Sequence, residues 1–521
     1  MLRLHPFHVV LALGLATALG LAAQPPCRAT QEKAGEKMIG LYIHQHWPYN
    51  HPYAARTWSF AEWRGFVSGL KALGYNTVLI WPMIETIPDP PTASDRAQLR
   101  KLARVVDEIH AQGMRVYLAV CPNVGCRDEQ AALATFEKRH FFECDTRVDP
   151  ADPAALADLM ARREKNLRPL ARVDGISVID SDPGGYPGST NADFVRLLGE
   201  YRKVLDRLRP GIELMYWMHA GWQAYSRWYQ TGIWALGAAE EQTDCLRKLK
   251  ELNPEPWGVA NGLDYARALG IADRVVRFNY GMIEGEPSFP MTRYDLQPAY
   301  EAGGQPGPRG VMGNAQTHCV QLPNIFAFAR GAAGEPLDRA AMLGFADDLI
   351  SGHGEAIVAG WEALAGDDPS RMRQRAAELD RLARTRLAGG RLSGLLLGSA
   401  RRFLGDLAKE LRMQASLSEF ARAVQAGTGV RAALARFVED AGAWQRTHGY
   451  QNFWWDGRLY EALRTLHDPA ITSCLDEWRG GEAPFDHHPG ATPFERIANG
   501  YRRVESHTVR LLDAMRRYIA G

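Results

Sequence analysis

Short apolar runs alternate with amphipathic stretches along the first part of the chain. From Met38 to about Arg330, each β-branched or aromatic run ends in polar or aromatic residues, and a helical period follows it. This alternation predicts parallel strands joined by helical crossovers. The eight predicted strands are Met38–His44, Thr77–Trp81, Arg115–Val120, Gly175–Asp180, Glu213–Met218, Trp257–Ala260, Val275–Tyr280 and Gly310–Asn314.

Eight is the number of strands that closes a (β/α)8 TIM barrel. The rival α/β arrangement is an open doubly wound sheet, which carries a glycine-rich phosphate turn after its first strand. Here the first strand runs into the bulky polar stretch His44–Tyr49, and the sequence contains neither a GxGxxG motif nor a P-loop. The sequence therefore predicts the α/β class with a barrel and gives no support to a nucleotide site.

After Pro336 the strand-like runs stop and helical periodicity takes over. The stretch Arg371–Arg386 is charged on one face and rich in Ala and Leu on the other, which is typical of a packed bundle helix. We predict a barrel at residues 30–336 and an all-α domain at 337–521. The predicted helices of the second domain are Arg339–Leu349, Pro369–Leu387, Ala400–Glu410, Leu417–Ala426, Val430–Gln445 and Pro493–Ile519.

The N-terminus has the pattern of a signal peptide. Arg3 precedes the apolar run Val9–Leu21, and small residues at Ala22, Ala23 and Ala29 offer cleavage sites. The run is shorter than the roughly 20 apolar residues of a membrane-spanning helix. We predict cleavage of residues 1–29 and a secreted or periplasmic protein, with an uncleaved N-terminal anchor as the alternative.

The charge balance narrows the choice of partner. The chain has 61 basic and 60 acidic residues, so it gives no electrostatic case for nucleic acid or an anionic membrane. An uncharged or weakly charged ligand fits better, and we predict no cofactor. Cys121, Cys126 and Cys144 lie close together in sequence, which suits a disulfide in an oxidising compartment. Zinc is the alternative, although the spacing differs from that of a zinc knuckle.

Polar and aromatic residues follow nearly every predicted strand, where the active site of a (β/α)8 barrel lies. Aromatic faces stack on sugar rings, and Asn, Gln and His side chains bond to hydroxyl groups. The predicted partner is therefore a carbohydrate substrate. The candidate substrate-binding residues are His44, Trp81, Glu85, Asn123, Tyr186, Trp217, His219, Asn279, Tyr280, Glu286, Asn314 and Gln316.

Three carboxylates are the candidate catalytic residues. Asp180 and Asp182 follow the fourth strand, and residues at i and i+2 share a face in extended geometry. Two carboxylates that close raise the pKa of one of them, which then holds a proton to donate. Glu284 follows the seventh strand. The alternatives are turn or helix-cap chemistry for Asp-Pro-Gly-Gly and an exposed acidic loop around Glu284.

Other residues leave a second interpretation open. His44 and His46 on one strand face, with His219 and His318, resemble the barrel-mouth metal site of amidohydrolases. The Lys that follows strand four in that family is absent here, so we predict no metal. His219 is equally typical of a buried core histidine. In the helical domain, Trp454-Trp455 suits either substrate stacking or a domain interface.

These strand ends resemble those of the (β/α)8-barrel glycoside hydrolases over residues 38–330. The order of a barrel and then a helical domain is similar to that of β-N-acetylhexosaminidase-like enzymes and α-glucuronidases. The chitinase-type DGxDxDxE run begins alike at Asp174-Gly175 and then departs from register. The adjacent acidic pair of hexosaminidases is interrupted here by Ser181, and the Asn-Glu pair of other retaining enzymes is absent.

The resemblance implies two schemes. By hexosaminidase logic, Asp182 is the acid and Asp180 the partner that holds the substrate. By two-carboxylate logic, Asp182 pairs with Glu284 or Glu286 across the barrel. We predict an exported glycoside hydrolase that cleaves a glycan or polysaccharide fragment. The alternatives are a non-catalytic carbohydrate-binding barrel and a metal-dependent hydrolase that uses His44 and His46.

Overall fold

A computed structural model gives the structure of the chain in twelve stretches, and from Glu36 onward they cluster into one compact unit. The described residues are 36–45, 50–139, 146–180, 185–218, 221–231, 239–252, 257–260, 264–279, 294–315, 322–449, 457–476 and 509–521. The predicted signal peptide and the stretch 493–508 of the last predicted helix lie outside them.

Ten strands are found among the described residues. They are β1 (Met38–Ile43), β2 (Thr77–Ile80), β3 (Arg115–Val120), β4 (Val124–Gly125), β5 (Thr146–Arg147), β6 (Gly175–Ile179), β7 (Glu213–Met218), β8 (Trp257–Ala260), β9 (Val276–Asn279) and β10 (Gly310–Ala315). Eight of them pair in parallel in the closed order β1-β10-β9-β8-β7-β6-β3-β2, while β4 and β5 form a separate antiparallel pair.

The first and last strands of the ring pair directly. Met38 lies beside Gly310, and Tyr42 lies beside Asn314. Each of the eight predicted strands coincides with a strand of the ring to within a residue at either end. The α/β class is therefore confirmed, with a curled parallel sheet and a majority of helical residues.

The interior of the ring is packed by alternating large and small residues. A Cβ atom at Gly40 would lie 2.4 Å from Sδ of Met312, and one at Gly175 would lie 2.4 Å from the ring of Tyr117. These two glycines leave the space that Met312 and Tyr117 fill, because protein interiors are close-packed. The strands read as continuous apolar runs because both faces of a parallel sheet are covered.

Helices separate the strands of the ring. They are α1 (Phe60–Ala72), α2 (Ala93–Ala111), α3 (Asp128–Ala131), α4 (Pro153–Leu167), α5 (Asn191–Leu208), α6 (Trp222–Thr231), α7 (Ala239–Leu252), α8 (Asp264–Ala268), α9 (Leu296–Gly303) and α10 (Leu322–Ala333). Capping boxes fix where three of them begin. Ser59, Thr92 and Thr190 each accept a bond from the backbone three residues on, and the acidic residue there accepts one in return.

The region after Pro336 is helical among its described residues. It contains α11 (Arg339–Leu349), α12 (Gly354–Ala365), α13 (Pro369–Leu382), α14 (Ala400–Ala426), α15 (Val430–His448), α16 (Gly457–Arg464) and α17 (Pro469–Asp476), followed by helical residues 509–520. The prediction of two helices, at Ala400–Glu410 and Leu417–Ala426, was wrong because α14 runs unbroken. The helices α12, α16 and α17 were not predicted.

None of the described helices combines the length and the apolar character needed to cross a membrane.

Candidate functional site

Aromatic side chains fill the carboxyl end of the ring. The Tyr42 ring on β1 lies edge-on to Trp217 of β7 and Phe278 of β9, with centroids 6.2 and 5.8 Å apart. Trp217 and Phe278 contact each other at 4.3 Å. These strands are not neighbours of β1, so the three side chains meet inside the ring. The packed side chains of Tyr42, Trp217 and Phe278 form a floor at the carboxyl end of the strands.

His44 sits on this floor and is held as a neutral imidazole. Its Nε2 lies 2.6 Å from Oδ1 of Asn314, and because the amide oxygen accepts, Nε2 carries the hydrogen. Burial lowers the pKa of His44 to about 3, although the bond to Asn314 opposes that shift. At neutral pH this polar pair therefore contributes hydrogen-bonding groups and no charge.

Two aromatic rings orient the imidazole. The Tyr42 ring lies 4.0 Å from it at a tilt of 41°, and the Trp81 ring meets it edge-on at 5.9 Å. Trp81 itself follows β2 and is buried. The predicted residues His44, Trp81, Trp217 and Asn314 are thus brought together. Tyr42 and Phe278 were missed, although alternation along β1 places Tyr42 on the same face as His44.

Glu85 is a buried carboxylate that joins two loops. Its Oε1 accepts the backbone N–H of Cys121 at 2.7 Å, so the loop after β2 is tied to the end of β3. Burial raises the pKa of Glu85, while the charge of Arg163, two backbone N–H groups and Trp81 lower it. Arg163 was also missed; it donates to Tyr201 at 3.0 Å and to the carbonyls of Cys121 and Val124, which follow β3.

Asp180 contacts the helical layer around the ring. Its Oδ2 accepts the backbone N–H of Gly221 at 2.7 Å, immediately before α6 begins. Trp222 donates its indole N–H to the Asp180 carbonyl at 3.1 Å. A carboxylate at a helix N-terminus is stabilised by the unpaired N–H groups there. These contacts match the helix-cap alternative, and a catalytic role for Asp180 stays a prediction.

Asn123 and Tyr186 hold neighbouring loops together. Asn123 donates to the carbonyl of Val148 at 2.7 Å, which anchors the segment that carries β4 and β5. The Tyr186 hydroxyl donates to Asp149 at 2.7 Å, and the Arg147 guanidinium lies 5.0 Å above its ring. Both residues link the loop after β3 to its surroundings, and their predicted contact with substrate stays a prediction.

Several predicted residues lie outside the described part of the chain. For Asn279 only the backbone is described, as the last residue of β9. Among the described residues no group of three His, Cys, Asp or Glu side chains could hold a metal ion. The predicted residues not described are Asp182, Glu284, His219, Tyr280, Glu286 and Gln316, together with His46 and His318 of the metal alternative and Trp454-Trp455.

The predicted disulfide does not join Cys121 to Cys126. Both are buried thiols, and burial raises the pKa of Cys126 to about 11. A thiol with so high a pKa is a poor nucleophile. Cys144, the third member of the group, lies outside the described residues.

No family model and no curated protein matches the chain in sequence. Solved structures do resemble it, and they are glycoside hydrolases. The structure of a GH138 enzyme targeting pectin rhamnogalacturonan II has a TM-score of 0.45 and 9% identity over 90% of this chain and 68% of that one.

Two further structures resemble the chain to a similar degree. CpGH84B has a TM-score of 0.41 and 10% identity, over 78% of this chain and 72% of that one. The GH20 β-N-acetylhexosaminidase from Streptomyces coelicolor A3(2) has a TM-score of 0.38 and 12% identity, over 60% and 68%.

Proposed function

We propose that the protein is an exported glycoside hydrolase that cleaves glycosidic bonds in a glycan or polysaccharide fragment. The observation that carries the proposal is the neutral His44–Asn314 pair, set among Tyr42, Trp81 and Trp217 at the carboxyl end of the parallel strands. The proposal takes the ring of strands as a (β/α)8 barrel in the full sense, in which this end is the active-site end.

The floor suits an uncharged ring with hydroxyl groups. Aromatic faces cover the apolar C–H face of a sugar, while imidazole and amide groups exchange hydrogen bonds with its hydroxyls. The low pKa of His44 keeps that group neutral, so it offers no charge to an anion. A sugar therefore matches this surface better than a phosphate or a carboxylate does.

Cleavage of a glycosidic bond needs two catalytic groups, and we propose a residue for each. An acid protonates the departing glycosidic oxygen, and a base, a nucleophile or a neighbouring group of the substrate assists at the anomeric carbon. We assign the acid to Asp182 and the second carboxylate to Glu284. A carboxyl separation of about 5–5.5 Å would favour retention, and about 6.5–9.5 Å would favour inversion.

A panel of chromogenic glycosides tests the proposal with wild type, Asp182→Asn and Glu284→Gln. We expect each variant to lose on the order of 10²- to 10⁴-fold in turnover, the contribution typical of a positioned acid or base. Asp206→Asn and Glu200→Gln are matched controls, since both carboxylates form surface ion pairs on α5. Normal turnover by both site variants would overturn the assignment.

The same panel distinguishes the alternatives. Wild-type protein that binds oligosaccharides without hydrolysing them would be a carbohydrate-binding barrel. Loss of activity with a chelator, restored by added divalent metal, would favour the metal-dependent hydrolase. Export is tested separately by mass spectrometry of the purified natural protein. A mature chain that begins after Ala23 or Ala29 supports export, and an intact Met1 contradicts cleavage.

A further inference from the structure

The loop that follows β1 returns to the barrel across the helical region. Its residues Asn50 and Tyr53 contact α15 and α14, helices that come more than 300 positions later in sequence. Loops of a barrel are usually fixed by their own neighbouring helices. In this one, Asn50 and Tyr53 take polar contacts from the region after Pro336, whereas Arg56 donates to the carbonyl of Arg139 at 2.5 Å and His51 pairs with Glu62 of α1 at 2.9 Å.

Tyr53 makes a buried contact with α14. It is buried, and its hydroxyl donates to Oδ2 of Asp406 at 2.5 Å. The same carboxylate accepts from Arg402 at 3.0 Å and from Lys409 at 3.1 Å. The ring packs on His448 with centroids 4.6 Å apart. A buried carboxylate with a charge-assisted hydrogen bond to a hydroxyl holds that hydroxyl firmly in place.

Asn50 fixes the near end of the loop by capping α15. Its backbone N–H donates to the carbonyl of His448 at 2.8 Å, and its amide donates to that of Arg446 at 3.1 Å. The last carbonyls of a helix lack partners within the helix, so such donors are favourable. Gly449, with a φ of 91°, ends α15 directly against Asn50, where a Cβ would lie 2.7 Å from Cγ.

A short segment of the chain connects Asn50 and Tyr53, the two residues held by the helical region, to the candidate site. The described chain ends at Gln45, one residue after His44, and resumes at Asn50. A gap of four residues spans at most about 17 Å when fully extended. The position of Asn50 therefore limits where the backbone that carries His44 can lie.

We propose that Tyr53 and Asp406 are positioning residues, through which α14 and α15 set the geometry of His44 and Asn314. For its effect on turnover the inference rests on the proposed function. In this arrangement the helical region holds one part of the first loop, at Asn50 and Tyr53, while Arg56 and His51 hold the rest to the barrel.

The test compares Tyr53→Phe and Asp406→Asn with Tyr75→Phe as a matched control. Tyr75 is also buried, and it also donates its hydroxyl, to the carbonyl of Ile325 at 2.8 Å, but it precedes β2 at the opposite end of the ring. The first readout is the proton resonance of the His44 Nε2–H group, assigned by its absence in His44→Asn. The second is kcat and KM on the glycoside that wild type hydrolyses.

We expect Tyr53→Phe and Asp406→Asn each to lose the His44 resonance through faster exchange. Each should also lower kcat by 10-fold or more, on the order expected for a displaced site group, with a smaller change in KM. Tyr75→Phe should keep both the His44 resonance and the wild-type kcat, even if its Tm falls as far as the Tm of the other two variants. If Tyr53→Phe does not fold, Asp406→Asn decides, because it keeps the ring and the shape of the carboxylate.

An unchanged His44 resonance in Tyr53→Phe and Asp406→Asn would overturn the inference, and so would its equal loss in Tyr75→Phe. The resonance does not require turnover. If wild type hydrolyses no glycoside, the proposed function fails while the positioning of His44 is still decided by the resonance alone.

Discussion

The two ends of the strand ring are built from different groups. At the amino end, polar contacts between charged or ionisable side chains close the ring: Tyr117 donates to Glu213 at 3.1 Å, and Arg309 lies 3.5 Å from the same carboxylate. At the carboxyl end, the described centre holds the neutral pair His44–Asn314 among aromatic rings.

Hydrogen bonds at the amino end of the ring also fix where strands begin. Asp174 accepts from His110 at 3.0 Å and from the backbone N–H of Val116 at 2.7 Å, which joins β3 to the start of β6. These groups bond to one another and tie neighbouring elements together. The comparison teaches that at the carboxyl end the described centre is a neutral polar pair, while the carboxylates Glu85 and Asp180 beside it bond to loop and helix backbone.

The largest expected difference between the ends is in acid sensitivity. Unfolded His44 takes up a proton near pH 6.5, whereas the folded protein resists doing so until about pH 3. The unfolded state therefore binds more protons in this window, and stability falls as pH decreases through it, by at most about 1.4 kcal/mol per pH unit. His44→Gln should show a shallower fall between pH 6.5 and 5, measured by urea unfolding.

The control for that measurement is Tyr75→Phe, which removes a buried hydrogen bond to the carbonyl of Ile325 but no imidazole. Its loss of stability should be similar at pH 6.5 and at pH 5. Parallel curves for wild type and His44→Gln would mean that the carboxyl end does not hold a neutral imidazole, and the contrast between the ends would fail.

A smaller effect tests Asp180. Asp180→Ala leaves the N–H of Gly221 buried without its acceptor, so the free energy of unfolding should fall by about 1–3 kcal/mol. Asp180→Asn keeps an acceptor and should recover most of the loss. If the helix-cap alternative describes the role of Asp180, the Asn variant retains turnover as well. Restored stability with abolished turnover would instead establish Asp180 as a catalytic residue.

At the amino end, Tyr117→Phe removes one hydrogen bond to Glu213. We expect a loss of about 1 kcal/mol in the free energy of unfolding, since a single buried bond contributes that order of stability. Activity should not change, because the hydroxyl lies at the end of the ring opposite the candidate site. A selective loss of kcat with full stability would contradict the division between the ends.

The smallest effect is expected for Glu85→Gln. Because burial raises the pKa of Glu85, the folded protein keeps this proton to higher pH than the unfolded chain, and stability falls as pH rises above 4.5. The Gln variant lacks that fall, so its stability relative to wild type should improve from pH 4.5 to 8, by a small amount because the charge of Arg163 and the hydrogen bonds oppose the shift. Thermal unfolding at both pH values measures it, and a relative loss would show that Glu85 is a stabilising ion.

Periodicity predicted the ring well because each strand is a short apolar run bounded by polar residues. It failed where helices are buried on all sides. In α14 the residues Leu411, Met413, Gln414, Ala415 and Ser416 are all buried, so the amphipathic pattern disappears in the middle of the helix. The apolar helix α12 was missed for the same reason, with Gly360 allowing close packing on Leu379.

The candidate site was predicted in part. Strand ends identified His44, Trp81, Trp217 and Asn314, because the fold itself brings the carboxyl ends of neighbouring strands together. The contact of Asp180 with Gly221 could not be predicted, because Gly221 is 41 positions away and contributes only a backbone N–H, and the catalytic role of Asp180 stays a prediction. Tyr53 and Asp406 gave no local signal at all, since a contact between residues 353 positions apart has no periodicity.

Pairing of β1 with β10 also has a consequence for biosynthesis. During synthesis at about 5–20 residues per second, the edge of β1 that Gly310 will cover stays open for tens of seconds. An uncovered strand edge invites pairing with other chains. Chaperone protection should therefore matter most to nascent chains that end before residue 315, and ribosome-bound fragments of increasing length should lose chaperone binding once that residue has emerged.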